Sequence, residues 1–327
     1  IPFEHPETPA EIAENREFIR DRLSKLLTTK KTIMQRAQFD MNWLRSRGIE
    51  CRAGFDTRIV AHLLDENLDA GLKRQVRQYL GYMDDYTLDM SKSESVTYPL
   101  EELATYGGID AALTWRLGAY HRPRLLAEPR LARLYTKLLQ PGIELLARIE
   151  ANGIGVDWGY LKELEDSRET RIAGINATLD EAMPPCPAFP DDDTPVGWNW
   201  DAAADVGELL FCGLKLPMRQ RTPKTGVASI SDEVLQDLLM DLPMGDDRRG
   251  VVEALQGRSE IRKQQGYFAS WRKLRRHDSR IHPTYHWDVT VTGRTSSRGP
   301  NGQQVPRGTE IRRCFVPRPG WKLLEID

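Results

Sequence analysis

Between Thr292 and Gly308 the chain reads TGRTSSRGPNGQQVPRG. Gly293, Gly299, Gly302 and Gly308, with Pro300 and Pro306, deny this segment a continuous helix or a sheet interior. Glycine costs backbone entropy there, and proline removes a hydrogen-bond donor. What remains is a run of short polar side chains: Thr292, Arg294, Ser296, Ser297, Asn301, Gln303 and Gln304. Such a segment lies along a polar surface, outside any core. Arginine, asparagine and glutamine are also the side chains that reach the base edges and sugar oxygens of nucleic acid.

Upstream, hydrophobic spacing divides the chain. Residues 1–122 alternate strand-like and helical runs, which predicts an α/β unit. Thr8, Pro9 and Glu11 read as the capped start of a helix over residues 8–27. KTIMQ reads as a short strand, FDMNWLRSRGI as a helix ending near Gly48, and residues 56–66 and 70–82 as two more helices. In YPLEELATYGGIDAALTWRLGAYH the pair Gly107–Gly108 predicts an interrupted helix. From about residue 128 long helical runs take over, followed by PPCPAFPDDDTPVG as a loop, a helix capped by Ser231, and a basic helix over about 249–276. RIHPTYHWDVTV and WKLLEID read as strands. The predicted fold class is therefore α/β plus mostly α, in three parts: residues 1–122, 123–276 and 277–327.

At 327 residues the chain is too long for one ordinary domain, and 40% hydrophobic with 29% charged residues marks a globular protein. No apolar run reaches membrane-spanning length. Cys51, Cys186, Cys212 and Cys314 are scattered and read as reduced thiols of an intracellular protein. A net charge of −2 gives no sign of a polyanionic partner, but GRSEIRKQQGYFASWRKLRR sets Arg258, Arg262, Lys263, Arg272, Lys273, Arg275 and Arg276 against Glu260 alone. That density predicts a local field able to steer an anion. Tyr267 and Trp271 within it read as packing residues. His282 and His286 share a strand face but stand about 13 Å apart, too far for one ion. Trp321, Leu323, Leu324 and Ile326 read as core material, and a chain opening on Ile-Pro without Met reads as an interior piece of a longer polypeptide.

In order and spacing, TGRTSS, PNGQQVP, EIRRCFVPRPGW and LLEID resemble the motifs of the family A DNA polymerases, the bacterial polymerase I-like group that includes phage enzymes. Gly302 departs from an apolar residue of the family pattern, and Gln304 from an asparagine. The resemblance implies that Asp327 is a metal-binding catalytic carboxylate of the palm and that Arg294 reaches the minor groove near the primer end. It also places Asn301, Gln303, Gln304, Thr292 and Ser296 along the duplex. Nucleotidyl transfer uses two Mg²⁺ ions about 4 Å apart, held by carboxylates. Upstream, ELLARIEANGIGVD and DVGELLFCGLKLPMRQRTPKTGVASISDEVLQDL resemble the thumb. RSEIRKQQGYFASW resembles the helix that crosses the minor groove, with Arg262 in the place of the family's lysine.

The first third resembles the family's RNase H-like 3′–5′ proofreading exonuclease domain. AQFDMNWL matches its second motif at Asp40, and YGGID its third at Tyr106 and Asp110. By that resemblance Asp40 and Asp110 hold metal and Tyr106 orients the attacking water. No Asp-x-Glu motif precedes Asp40, and Arg36 stands where the second motif has asparagine. The implied protein is a cytoplasmic DNA-directed DNA polymerase that uses Mg²⁺, primer–template DNA and dNTP, its exonuclease domain degenerate or incomplete. The alternative is the non-catalytic DNA-binding N-terminal half of a split polymerase, working with a second chain that carries the rest of the palm and the fingers.

Overall fold

The computed structural model of the chain describes residues 5–67, 69–82, 98–182, 198–222, 226, 228–290, 292–305 and 309–324. Two compact units emerge: Ile1–Gly153 with His282–Gln304, and Ile154–Ile281 with Val305–Asp327.

Unit 1 opens with α1 (Ala10–Glu14) and α2 (Arg16–Thr29). The single capped helix expected from Thr8 is corrected. Pro9 is extended at ψ 139° and occupies the cap position, which leaves Thr8 outside, and Asn15 breaks the run. Strands β1 (Ile33–Met34) and β2 (Phe55–Asp56) pair in parallel, Ile33 opposite Phe55. Between them runs α3 (Ala37–Ser46), after which Gly48 turns the chain at φ 74°. Helices α4 (Thr57–Leu64) and α5 (Leu72–Leu80) follow, the latter ending at Gly81 with φ 64°.

The interruption expected at Gly107–Gly108 does not occur. Helix α6 (Leu100–Ala127) is continuous, and a Cβ on either glycine would meet nothing within 4 Å. Leu113, Leu117, His121 and Leu125 are buried along one stripe of it, and that burial overrides the local propensity cost. Helix α7 (Pro129–Leu134), a π-helical turn over Tyr135–Leu139 and α8 (Gln140–Asn152) complete the helical part. The core joins Met34, Ala37, Met41, Ile59, Val60, Tyr135 and Ile143. Further along the chain, β5 (Thr284–His286) and β6 (Ser296–Arg298) form an antiparallel pair with Tyr285 opposite Ser297. Trp287 packs against Gly142, where an added Cβ would stand 1.9 Å from the indole.

In unit 2 a small antiparallel sheet runs in the order β4-β3-β7: Arg280–Ile281, Ile154–Val156 and Phe315–Val316. The rest is helical: α9 (Trp158–Ala182), α10 (Ala203–Glu208) with a π-helical turn, α11 (Asp232–Asp241), α12 (Asp247–Lys273) and the short α13 (Thr309–Arg312). Ser231 caps α11 by accepting the Val234 amide. Helix α12 spans two cores. Val251, Val252 and Leu255 pack with Leu210, Val234 and Leu238, whereas Phe268 and Trp271 pack with Val156, Leu161 and Ile281 beside the sheet. Tyr267 and Trp271 are packing residues, as their spacing suggests.

WKLLEID was expected to be a buried strand. Trp321, Leu323 and Leu324 are instead 72%, 62% and 83% exposed, with no strand partner among the described residues. Ile326 and Asp327 lie outside those residues. The fold is thus α/β plus α. Among the described residues no helix is long and apolar enough to cross a membrane.

Candidate functional site

Asp40 sits in the first turn of α3, whose start depends on an acid from another element. Arg36, at φ 67°, turns the chain out of β1. The Asp56 carboxylate then accepts the amides of Arg36 (3.3 Å) and Ala37 (2.7 Å) as well as those of Arg58 (2.9 Å) and Ile59 (3.2 Å). One buried acid therefore caps α4 and closes the start of α3. Burial, and the Asp56 charge after it, push Asp40 up to about 6, while Arg36 pulls the other way. The arginine in the place of an asparagine thus acts directly on the carboxylate of the second exonuclease-type motif.

Tyr106 and Asp110 share a face of α6, as their spacing predicts. Burial and the neighbouring Asp110 raise the Tyr106 phenol. Asp110 is not left open: Lys73 Nζ of α5 binds its Oδ1 at 2.9 Å and lies 4.6 Å from the Tyr106 ring centroid. The charges acting on Asp40 come from Asp56 and Arg36, and the cation on Asp110 is Lys73. Among the described residues no three His, Cys, Asp or Glu side chains gather into a group able to hold a metal ion. With Lys73 on Asp110 and no second carboxylate gathered with it among the described residues, these donors do not come together around a divalent ion, and no hydrolytic step is derived through one.

The polar track expected from the sequence is held by an acid that was not singled out there. Glu150 of α8 is 7% exposed and accepts from Gln38 (3.1 Å), Asn42 (2.8 Å) and the Tyr285 amide (2.7 Å). The His282 ring binds the Glu150 carbonyl at 2.7 Å. Burial raises Glu150, and these hydrogen bonds oppose the shift. The β5–β6 pair is thereby tied to α3 and α8. Sequence did carry a signal: Glu150 continues the stripe Ile143, Leu146, Ala147, where only apolar residues belong.

Past β5, Thr292 and Arg294 are exposed, and Ser296 is half-buried in β6. The Arg294 carbonyl accepts the Thr290 hydroxyl. Ser297, 2% exposed, donates to Asn301 Oδ1 at 2.9 Å, and the Gln303 amide reaches Ser297 Oγ (3.2 Å) and Asn301 Oδ1 (3.1 Å). Gln303 Nε2 bonds Thr295 Oγ1 at 2.7 Å, and Gln304 is exposed. The track is therefore internally braced, with Arg294 projecting from it. Ser297 is the brace, which composition alone could not distinguish from its neighbours.

In unit 2 the basic run is less bare than it reads. Arg258, 5% exposed, bonds Asn176 Oδ1 (2.8 Å), the Trp200 carbonyl (2.6 Å) and Asp201 Oδ1 (2.8 Å). Arg262 holds the other Asp201 oxygen at 2.8 Å. Lys263 pairs with Asp232, and Arg272 Nε binds Glu165 at 2.9 Å. Those acids come from distant positions, so the single acid within the run understates its neutralisation. Lys273, Arg275 and Arg276 at the C-terminal end are exposed. Arg275 also lies 4.8 Å from the Trp158 ring centroid. Asp327 lies outside the described residues.

Two families match this chain, one in each part. The family described as 3′-5′ exonuclease matches residues 8–125, and DNA polymerase family A matches residues 194–327. The DNA polymerase I of Chloroflexus aurantiacus is 31% identical over 308 residues, covering 89% of this chain and 31% of the relative. That of Thermus aquaticus, a thermostable enzyme, is 32% identical over 225 residues, covering 67% of this chain and 25% of the relative. The chain thus spans about a third or less of the length of these curated relatives. Among solved structures, the POL domain of Pol1 from M. smegmatis, in complex with primer–template DNA and dNTP, superposes with a TM-score of 0.72 at 21% identity. It covers 90% of this chain and 46% of that one. Residues 194–327 thus belong to DNA polymerase family A, behind a 3′-5′ exonuclease region over residues 8–125.

Proposed function

We propose that this chain serves template-directed DNA synthesis as part of a DNA-directed DNA polymerase. The observation that carries this reading is the succession, on one chain, of an exonuclease-type region and a family A polymerase region. In this reading Arg294, with Thr292, Ser296, Asn301, Gln303 and Gln304, contacts the minor groove of the primer–template. That groove offers acceptors at similar places for every correct pair, which suits a protein that must grip any sequence. The bracing of Asn301 and Gln303 by Ser297 supports a preset surface. Arg262 is a second contact, and it exchanges Asp201 for phosphate on binding.

Asp327 is proposed as a carboxylate ligand of Mg²⁺, which supplies Lewis-acid stabilisation of the transferred phosphoryl group. The partner carboxylate and the dNTP contacts belong to palm and fingers residues outside residues 1–327, on the same polypeptide or on a second chain. Exonuclease chemistry is not proposed, because Lys73 holds the Asp110 carboxylate it needs.

Fluorescence anisotropy with a primer–template hairpin at two salt concentrations tests the reading. The expected result is duplex binding that weakens with salt and is weaker still in Arg294→Ala. Salt-insensitive binding, or full affinity in that variant, would overturn it.

A further inference from the structure

We propose that Gln38 and Asn42 of α3, gathered on the buried Glu150 carboxylate, are positioning residues for the primer–template track, so that the exonuclease-type helix serves duplex binding by holding the β5–β6 hairpin in place. The inference rests on the reading of Arg294, Asn301 and Gln303 as duplex contacts.

Gln38 and Asn42 stand four apart and so share one face of α3. Both aim their amide nitrogens at Glu150. Gln38 Nε2 donates to Oε1 at 3.1 Å, and Asn42 Nδ2 donates to Oε2 at 2.8 Å. The same Oε1 accepts the Tyr285 amide at 2.7 Å, and Gln38 Nε2 also donates to the Tyr285 carbonyl at 3.1 Å. Side chains therefore satisfy both backbone polar groups of Tyr285, as a neighbouring strand would. Gln38 and Asn42 fall within the matched exonuclease region and Tyr285 within the matched polymerase region, while Glu150 lies in neither. The clamp joins the two regions through one carboxylate.

What Tyr285 carries is the track. It pairs across the hairpin with Ser297, whose hydroxyl donates to Asn301 Oδ1 at 2.9 Å and accepts the Gln303 amide at 3.2 Å. The Tyr285 hydroxyl also stands 3.7 Å from the point a Cβ on Gly302 would occupy, and Pro283 Cγ stands 3.3 Å from it. Tyr285 thus bears on Gly302 directly and on Asn301 and Gln303 through Ser297, so a shift of Tyr285 disturbs both supports at once. The clamp needs the shape of Glu150 more than its charge. In Glu150→Gln the side-chain oxygen keeps Tyr285 and Gln38, and the new amide nitrogen meets Asn42. Asn42 Oδ1, buried without a partner among the described residues, accepts that nitrogen once the amide turns over.

Fluorescence anisotropy of the full chain with a primer–template hairpin tests this, at several salt concentrations and below the melting temperature of every variant by circular dichroism. Glu150→Ala removes an anion from a DNA-binding protein, which by charge alone strengthens attraction to the duplex. Lost positioning has the opposite sign. Glu150→Ala should weaken binding by about three- to thirtyfold at an unchanged salt slope. Gln38→Met, similar in size, should weaken it in the same way, and Glu150→Gln should bind at least as tightly as the wild type. Leu117→Ala controls for stability, because it truncates a separate core between α5 and α6. It should lower the melting temperature and leave affinity unchanged. Full affinity in Glu150→Ala or Gln38→Met overturns the inference. So does Glu150→Gln binding as weakly as Glu150→Ala, or Leu117→Ala weakening binding as much as either. If the wild type binds with the expected salt dependence while the variants fail these expectations, the failure is confined to the clamp and the polymerase reading stands. No salt-sensitive binding by the wild type overturns both.

Discussion

The Asp56 carboxylate takes the Ala37 amide at 2.7 Å, so the residue that caps α4 also fixes where α3 begins. Everything on α3 inherits that placement, including Asp40 and the Gln38–Asn42 pair that grips Glu150.

Removing that acid should loosen two helices at once. Asp56 is buried, and burial raises its carboxyl, opposed by the amides it accepts. Asp56→Ala leaves those amides without an acceptor and is expected to cost about 2–4 kcal/mol, two lost caps in a dry site. Asp56→Asn should cost less, since it keeps an acceptor oxygen and buries no charge. Urea unfolding gives the magnitudes, and hydrogen exchange should show the loss first in the amides of α3 and α4.

His121 makes unit 1 sensitive to mild acid. The Gln75 amide nitrogen donates to the Ala70 carbonyl at 2.6 Å, which directs its oxygen to His121 Nε2 at 2.8 Å. The ring therefore donates through Nε2, and its Nδ1 is buried without a partner among the described residues. Burial, aided by the Arg124 charge, lowers His121 to about 4. A histidine depressed below its unfolded value stabilises the fold above about pH 6.5, and that contribution is lost as pH falls toward 4. The loss should reach about 3 kcal/mol. His121→Phe keeps the edge-on contact with Tyr79 but has nothing to protonate. The difference in unfolding free energy between the two proteins should therefore shrink as pH falls across that window. A constant difference would refute the assignment.

Arg258 and Arg262 share Asp201 but should differ sharply. Arg258 is buried with three acceptors, and Arg258→Ala strands Asn176 and the Trp200 carbonyl while Asp201 keeps Arg262, at about 3 kcal/mol of unit 2 stability. Arg262 is 43% exposed, and its loss should change stability by less than about 1 kcal/mol. Thermal unfolding of both variants decides this.

These residues also show how far sequence reaches. Local signals held where the chain alone decides: Gly48 ends α3, Ser231 caps α11, and Tyr106 shares a face with Asp110. They failed where packing decides. Gly107 and Gly108 do not break α6, because the buried stripe at Leu113, Leu117 and Leu125 carries the helix through. Ionic partners are invisible from spacing, since Asp201, Asp232 and Glu165 lie far from the basic run they neutralise. One signal was present and undervalued. Glu150, His121 and Arg258 each fall on the apolar stripe of a helix, and each proves to be a buried polar group holding separate segments together.

The braced track offers a test that separates contact from positioning. Arg294 is exposed and charged, so Arg294→Ala should weaken duplex binding and lower the salt slope by about one. Ser297 is buried and neutral and has no route to the duplex. Ser297→Ala nevertheless removes the hydroxyl that orders Asn301 and receives the Gln303 amide. It should weaken binding by a few-fold to about tenfold while leaving the salt slope unchanged, because no phosphate contact is lost. Arg294→Ala with an unchanged slope would place that arginine away from the groove, where a bound cation displaces counterions. Ser297→Ala with full affinity would mean that the amides gain nothing from being held in place before the duplex arrives.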